Sequence, residues 1–264
     1  IILSSLGFGG LVVGASLAGD KGWGNPLVIG ALVVGIVCLA FYTYRQLHLD
    51  APILNLRAFG FKKFSVGTAL VMTDFGIIMS SMYLLPMYWQ KGLMVPVALT
   101  GVLLLPGGIV NAIVSATAGR LFDDYGAKYL TRIGFAITFV GALMLIFVTT
   151  HTAYWYVVLA HVLLMIGAPL AMSPAQTYGL NALRGPVAAD GSTILNTLQQ
   201  ILGALATAIA TSLLGIGQST SNAGGATAFV HGVHYGFWFT LALYLFCFCR
   251  YKMVTNPQGP GEAA

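Results

Sequence analysis

The sequence predicts an all-α membrane protein, and three observations point there. Hydrophobic residues make up 58% of its 264 residues and charged ones only 7%, with a mean hydropathy of +0.86. A soluble domain is nearer half apolar and a quarter charged. The apolar residues fall into eight runs of about the length a bilayer demands. The basic residues between those runs sort to alternate sides. Arg45, Arg57, Lys62, Lys63, Arg120, Lys128, Arg132, Arg184, Arg250 and Lys252 fall in one set of loops and the tail, against Lys21 and Lys91 in the other. Under the positive-inside rule the first set is cytoplasmic, and losing or adding one span would scramble the sorting. The formal net charge of +5 is thereby explained by orientation in a lipid bilayer, with no call for nucleic acid.

The runs follow in order. Residues 1–19 form the first span, whose Gly10 and Gly14 have the small-xxx-small spacing that lets helices pack closely. A turn at 20–25 leads to the second span, 26–44, and a hydrophilic linker occupies 45–63. The third span, 64–89, ends in Tyr83, Tyr88 and Trp89, residues suited to a membrane interface. Spans at 96–118, 129–149, 154–180, 191–214 and 230–249 follow. The sixth of the eight contains Pro169 and Pro174, which permit a kink or simply mark irregular packing. Residues 254–264 read as a Pro/Gly-rich cytoplasmic tail. The chain opens at Ile1 inside an apolar run, without Met or a signal peptide, and is expected to be part of a longer protein. Cys38, Cys247 and Cys249 have neither metal-ligand nor redox spacing and read as small packing residues.

The most informative stretch joins the fourth and fifth runs: Gly119, Arg120, Leu121, Phe122, Asp123, Asp124, Tyr125, Gly126, Ala127 and Lys128. Five charges fall within the fourteen residues 119–132. So short a link forces the two helices to lie antiparallel, with a glycine supplying the sharp turn. The acidic pair is expected just before the next helix, where the N-terminal dipole favours negative charge.

This run, preceded by Leu103-Leu104-Leu105-Pro106-Gly107-Gly108, resembles the loop motif of the major facilitator superfamily in its C-terminal copy. With those upstream residues it looks like the fourteen-helix drug:proton antiporter branch, the EmrB/QacA type. Asp124 stands where that family carries a basic residue. The resemblance implies the C-terminal six-helix bundle of a major facilitator fold (64–253) plus two extra transmembrane helices (1–44). It also implies a missing N-terminal half, location in the cell membrane, and efflux of small hydrophobic or cationic compounds in exchange for protons by alternating access. Uptake of a hydrophilic solute, or a non-transporting receptor on the same fold, are the alternatives. The loop-motif residues carried over are Gly119, Arg120, Asp123, Gly126 and Lys128.

Asp74 is the only acidic residue inside a span, about 15 Å deep in the third helix. A charge at that depth is costly and marks a functional site by default, so Asp74 is the proton-coupling candidate; a protonated acid bonded to a neighbouring helix is the packing alternative. Gly67, Asp74 and Ser81 share one helical face through their seven-residue spacing. In the seventh span Asn196, Gln200, Gly203 and Thr207 form a stripe, with Gln199 beside it. The run resembles the family's cavity-lining eleventh core helix, while interhelical hydrogen bonding is the packing alternative. Met172, Pro174, Gln176, Thr177 and Asn181 loosely match a family pattern in the sixth span. The cavity-lining candidates are therefore Ser81, Asn196, Gln199, Gln200 and Gln176.

His161 reads as a core histidine, and His231 with His234 lacks a third ligand for a metal. Asp74 and His161 stand apart, without the clustered groups an enzyme needs. No G-x4-G-K-[S/T] occurs, so no nucleotide or other cofactor is expected and the drive would be an ion gradient.

Overall fold

In the computed structural model, residues 2–48, 56–222 and 224–251 are described. Among them there is no strand, only helices: α1 (Ile2–Lys21), α2 (Pro26–His48), α3 (Lys62–Met87), α4 (Val97–Ile146), α5 (Tyr154–Leu180), α6 (Pro186–Ser219) and α7 (Gly225–Tyr251). A 3-10 turn at Leu56–Gly60 precedes α3, and a π-helical turn at Tyr88–Gly92 extends it. The helices α2 to α6 are each long and apolar enough to cross a membrane.

The 50 residues of α4 would be roughly 75 Å long if straight, more than twice the hydrocarbon thickness. They are not straight, because Gly126 leaves the helical region at φ 75°, ψ 165°. That combination is essentially open to glycine alone. The neighbours of α5 show what the bend does. Along the first limb, Gly107 lies against His161 and Asn111 bonds to the Met165 carbonyl, so numbers rise together. Along the second limb, Gly134 meets Leu170 and Ala171 while Gly141 meets Ala160 and Leu164, so numbers run oppositely. The limbs are therefore antiparallel and flank α5, so the described residues form eight helical legs.

The link is shorter than the sequence suggests. Residues 119–125 stay helical and only Gly126 breaks the run. Asp123 and Asp124 consequently lie exposed in the last turn of the first limb, not in a separate loop before the second. Phe122 and Ala127 cover a small cavity of about 120 Å³ with Lys63, Tyr178 and Asn181, which ties the bend to the ends of α3 and α5. In the full-length protein, Gly126→Val is expected to reduce transport far more than Lys128→Ala. Valine is strained in this conformation, at about 1–3 kcal/mol, whereas Arg120 and Arg132 keep the local positive charge. Equal, mild losses at normal expression would show that the bend is only a tether.

The other legs pack through small residues, as helices in lipid do. A Cβ on Gly10 would lie 2.8 Å from the Ala31 carbonyl and 2.9 Å from the Gly35 Cα, so α1 and α2 touch backbone to backbone. Their hairpin leans on α6, where the Trp23 indole donates to Ser212 Oγ at 2.7 Å. Helix α3 runs through the middle: Gly67 sits against Gly179 of α5 and Gly76 against Ala206 of α6. Ser80 and the α7 residue Thr240 share a 3.1 Å hydrogen bond. One apolar cluster, with Tyr88, Trp89, Leu145, Leu164 and Phe237, fills the end of the bundle near the π-helical turn. A second, with Val71, Ile77, Phe135, Ala175 and Tyr244, fills the other.

Candidate functional site

Asp74 is fully buried in α3. Neither carboxylate oxygen has a hydrogen-bond partner among the described residues. Val71 and Ile77, three residues to either side and so on the same face, belong to the second apolar cluster. Ser81, one heptad further, is also buried, and its hydroxyl has no partner among the described residues. The expected face of Gly67, Asp74 and Ser81 thus points into protein.

Two hollows meet along α3. A cavity of about 520 Å³ lies between α3, the first limb of α4 and α5. Phe75, Ile78 and Met82 form one wall, Asn111 and Ser115 the second, and Met165, Pro169, Met172, Ser173 and Gln176 the third. None of these side chains is charged. On the other side, α1, α3 and α6 enclose a more polar cleft of about 410 Å³, lined by Ser16, Met79, Tyr83, Gln200, Gly203, Thr207 and Thr211. Phe75 borders both and is the partition between them. A third, apolar groove of about 400 Å³ runs between the α1–α2 hairpin and α6, with Phe8, Leu39, Phe59, Ile194 and Leu198 on its walls.

The expected cavity residues divide among these places. Gln176 lines the larger cavity. Gln200 lines the polar cleft together with Gly203 and Thr207 of the same stripe. Gln199 is buried, and its Nε2 lies 4.0 Å from Met172 Sδ on the cavity wall. Asn196 is exposed and borders none of these hollows, and Ser81 sits apart from all three. Neighbouring residues on a helix point about 100° apart, so a small rotation exchanges a lining position for an outward-facing one.

His161 is buried with its ring against Gly107, where any side chain on the glycine would collide. His231 and His234 each meet a backbone carbonyl, that of Gly217 at 2.8 Å and that of Val148 at 2.6 Å. The described residues contain no group of three or more metal-ligand side chains. Of the three cysteines only Cys38 has a described side chain, a free and half-buried thiol; Cys247 and Cys249 lie outside those described. The sequence did not single out Asn111, Ser115 or Phe75. The available signal was a lone amide in the apolar fourth run, four residues after Gly107.

An all-helical bundle of membrane-length helices with hollows between its central helices is a build that transporters share. The model of the Major Facilitator Superfamily matches residues 2–207, and the chain belongs to that family. Its fold is the C-terminal six-helix bundle of a major facilitator with two extra transmembrane helices, and the family comprises transporters, not enzymes. Lincomycin resistance protein LmrB of Bacillus subtilis is 46% identical over 220 residues, covering 83% of this chain and 46% of that protein. An uncharacterized MFS-type transporter of the same organism, YcnB, is 33% identical over 265 residues, 99% of this chain and 56% of the relative. Putative multidrug resistance protein MdtD of Escherichia coli O81 is 28% identical over 220 residues, 80% of this chain and 45% of the relative. The chain spans about half the length of the curated relatives it matches.

Proposed function

We propose that this chain is the C-terminal portion of a proton-coupled exporter of small hydrophobic or cationic drugs that works by alternating access. The observation that carries the reading is Asp74, an acid with no hydrogen-bond partner among the described residues, buried in the middle of the helix that α5, α6 and α7 surround. A bare carboxylate is costly there, so the group holds its proton while the site is dry. Rocking of one half against the other opens such sites to water, which makes the charged form affordable and lets the proton leave. The resistance names of the relatives support a drug as cargo. The cavity beside Phe75, apolar with a few amides and hydroxyls, has the composition of a small-molecule site.

In the full-length protein the bundle 64–253 would pair with the N-terminal half, and 1–44 would supply the extra hairpin. The protein would sit in the cell membrane, with its linker at 45–63 and its tail at 254–264 in the cytoplasm. A cysteine at Ser219 is then labelled from outside intact cells; labelling only after permeabilisation contradicts this orientation. The function itself is tested by reconstituting the full-length protein in liposomes with an imposed pH gradient and lincomycin or tetraphenylphosphonium. Accumulation that follows the proton gradient and collapses with a protonophore is expected. Gradient-independent equilibration, or none, refutes the proposal.

A further inference from the structure

The cavity wall formed by α5 has an unusual gap in its backbone bonding. In an α-helix the carbonyl of residue 165 accepts from the N–H of residue 169. Here residue 169 is proline, which has no N–H to give. The Met165 carbonyl instead accepts from Asn111 Nδ2 of the neighbouring helix at 3.2 Å. Asn111, Met165 and Pro169 all line the 520 Å³ cavity. One turn away, Gly107 makes room for the His161 ring, which lies against its backbone.

We propose that the Met165 carbonyl, freed by Pro169 and covered by Asn111, is a ligand-accepting position of the cavity, where an O–H or N–H of the cargo takes the place of Asn111. The inference rests on the cavity being part of the transport path and adds what that path recognises. A hydrogen-bond donor satisfies the carbonyl at least as well as the asparagine amide does. A cargo without a donor leaves the Asn111 bond intact and binds by apolar contact with Phe75 and the methionines alone. The position therefore favours compounds that bear an O–H or N–H over those that bear none, on a cavity wall whose own side chains carry no charge. It also gives cargo a way to loosen the first limb of α4 from α5, because the bond it displaces joins them there.

Binding to the full-length protein distinguishes the possibilities, with lincomycin as the donor-bearing compound and tetraphenylphosphonium, which has neither O–H nor N–H, as the donor-free one. Asn111→Ala removes the competitor and is expected to tighten lincomycin binding. Pro169→Ala restores the helical N–H to the carbonyl and is expected to weaken it. Each shift should be about 2- to 12-fold, the net value of one hydrogen bond, while tetraphenylphosphonium changes less than 2-fold. If Pro169→Ala fails to fold, the ratio of the two affinities in Asn111→Ala decides alone. Parallel changes for both compounds, or no change in lincomycin binding, overturn the inference and leave the functional reading standing. If neither compound binds the unaltered protein, the functional reading falls and takes this inference with it.

Discussion

Gly167→Val is expected to leave little folded protein, whereas Gly30→Ala should be silent. A Cβ on Gly167 would lie 2.5 Å from both the Gly134 carbonyl oxygen and the Thr138 amide nitrogen. One on Gly134 would lie 2.5 Å from the Ala171 nitrogen. These are backbone atoms of two helices, so no side chain can turn aside to make room. The second limb of α4 would have to separate from α5 along its length, losing the contacts of Gly141 with Ala160 and Leu164 as well. Overpacking of a core that can adjust costs about 1–3 kcal/mol; two backbones that cannot turn aside put this site above that range, enough to exhaust the margin of a marginally stable fold. Nothing lies within 4 Å of a Cβ on Gly30. Size-exclusion profiles and thermal denaturation of the purified full-length variants check this. A Gly167→Val protein as monodisperse and stable as Gly30→Ala would mean that α4 and α5 are not packed as described.

The other large effect concerns coupling. Asp74→Asn is expected to abolish proton-driven efflux while leaving drug binding, or passive exchange between two sides at equal pH, measurable. Asparagine keeps the shape of the acid and, like its protonated form, carries no charge at this buried position. It cannot release a proton. Asp74→Glu should retain part of the activity, because the longer acid still titrates even if it meets α5, α6 or α7 less well. The other acids of the membrane-length helices, Asp123, Asp124 and Asp190, lie near the bend of α4 or the start of α6, and Asp74 is the one buried in the middle of a helix among the described residues. Normal, pH-dependent transport by Asp74→Asn at normal expression would make the acid structural and place coupling in the other half.

Much of the fold was legible because a bilayer leaves few choices. With no water to satisfy backbone groups, each apolar run has to be a helix, and Tyr154–Leu180 coincides with the expected sixth span. Boundaries elsewhere differ where helices continue past the apolar run. The run expected at 191–214 belongs to a helix that extends over Pro186–Ser219, because proline fits its first turn and polar residues prolong it at the surface. The bend was legible as a glycine amid charges, but its length was not, since Arg120 to Tyr125 are equally at home in a helix.

The candidate site was legible in part. Depth alone marked Asp74, whereas periodicity together with a resemblance to the family's eleventh core helix marked the stripe of Gln200, Gly203 and Thr207. Which face of α6 meets which neighbour depends on helix rotation, and that is set by partners such as Phe75 and Met79 on α3. Hence Gln200 borders a cleft while Asn196 of the same stripe does not. The bond between Asn111 and the Met165 carbonyl was beyond reach from sequence. It joins residues 54 apart, and it acquires meaning only once Pro169 is seen to leave that carbonyl unserved.

The central claim is that Asp74 trades its proton against cargo, and proton counting on the purified full-length protein tests it most directly. In weakly buffered detergent solution, adding a saturating concentration of tetraphenylphosphonium should release protons from the unaltered protein and none from Asp74→Asn. The same release from both proteins would contradict the claim.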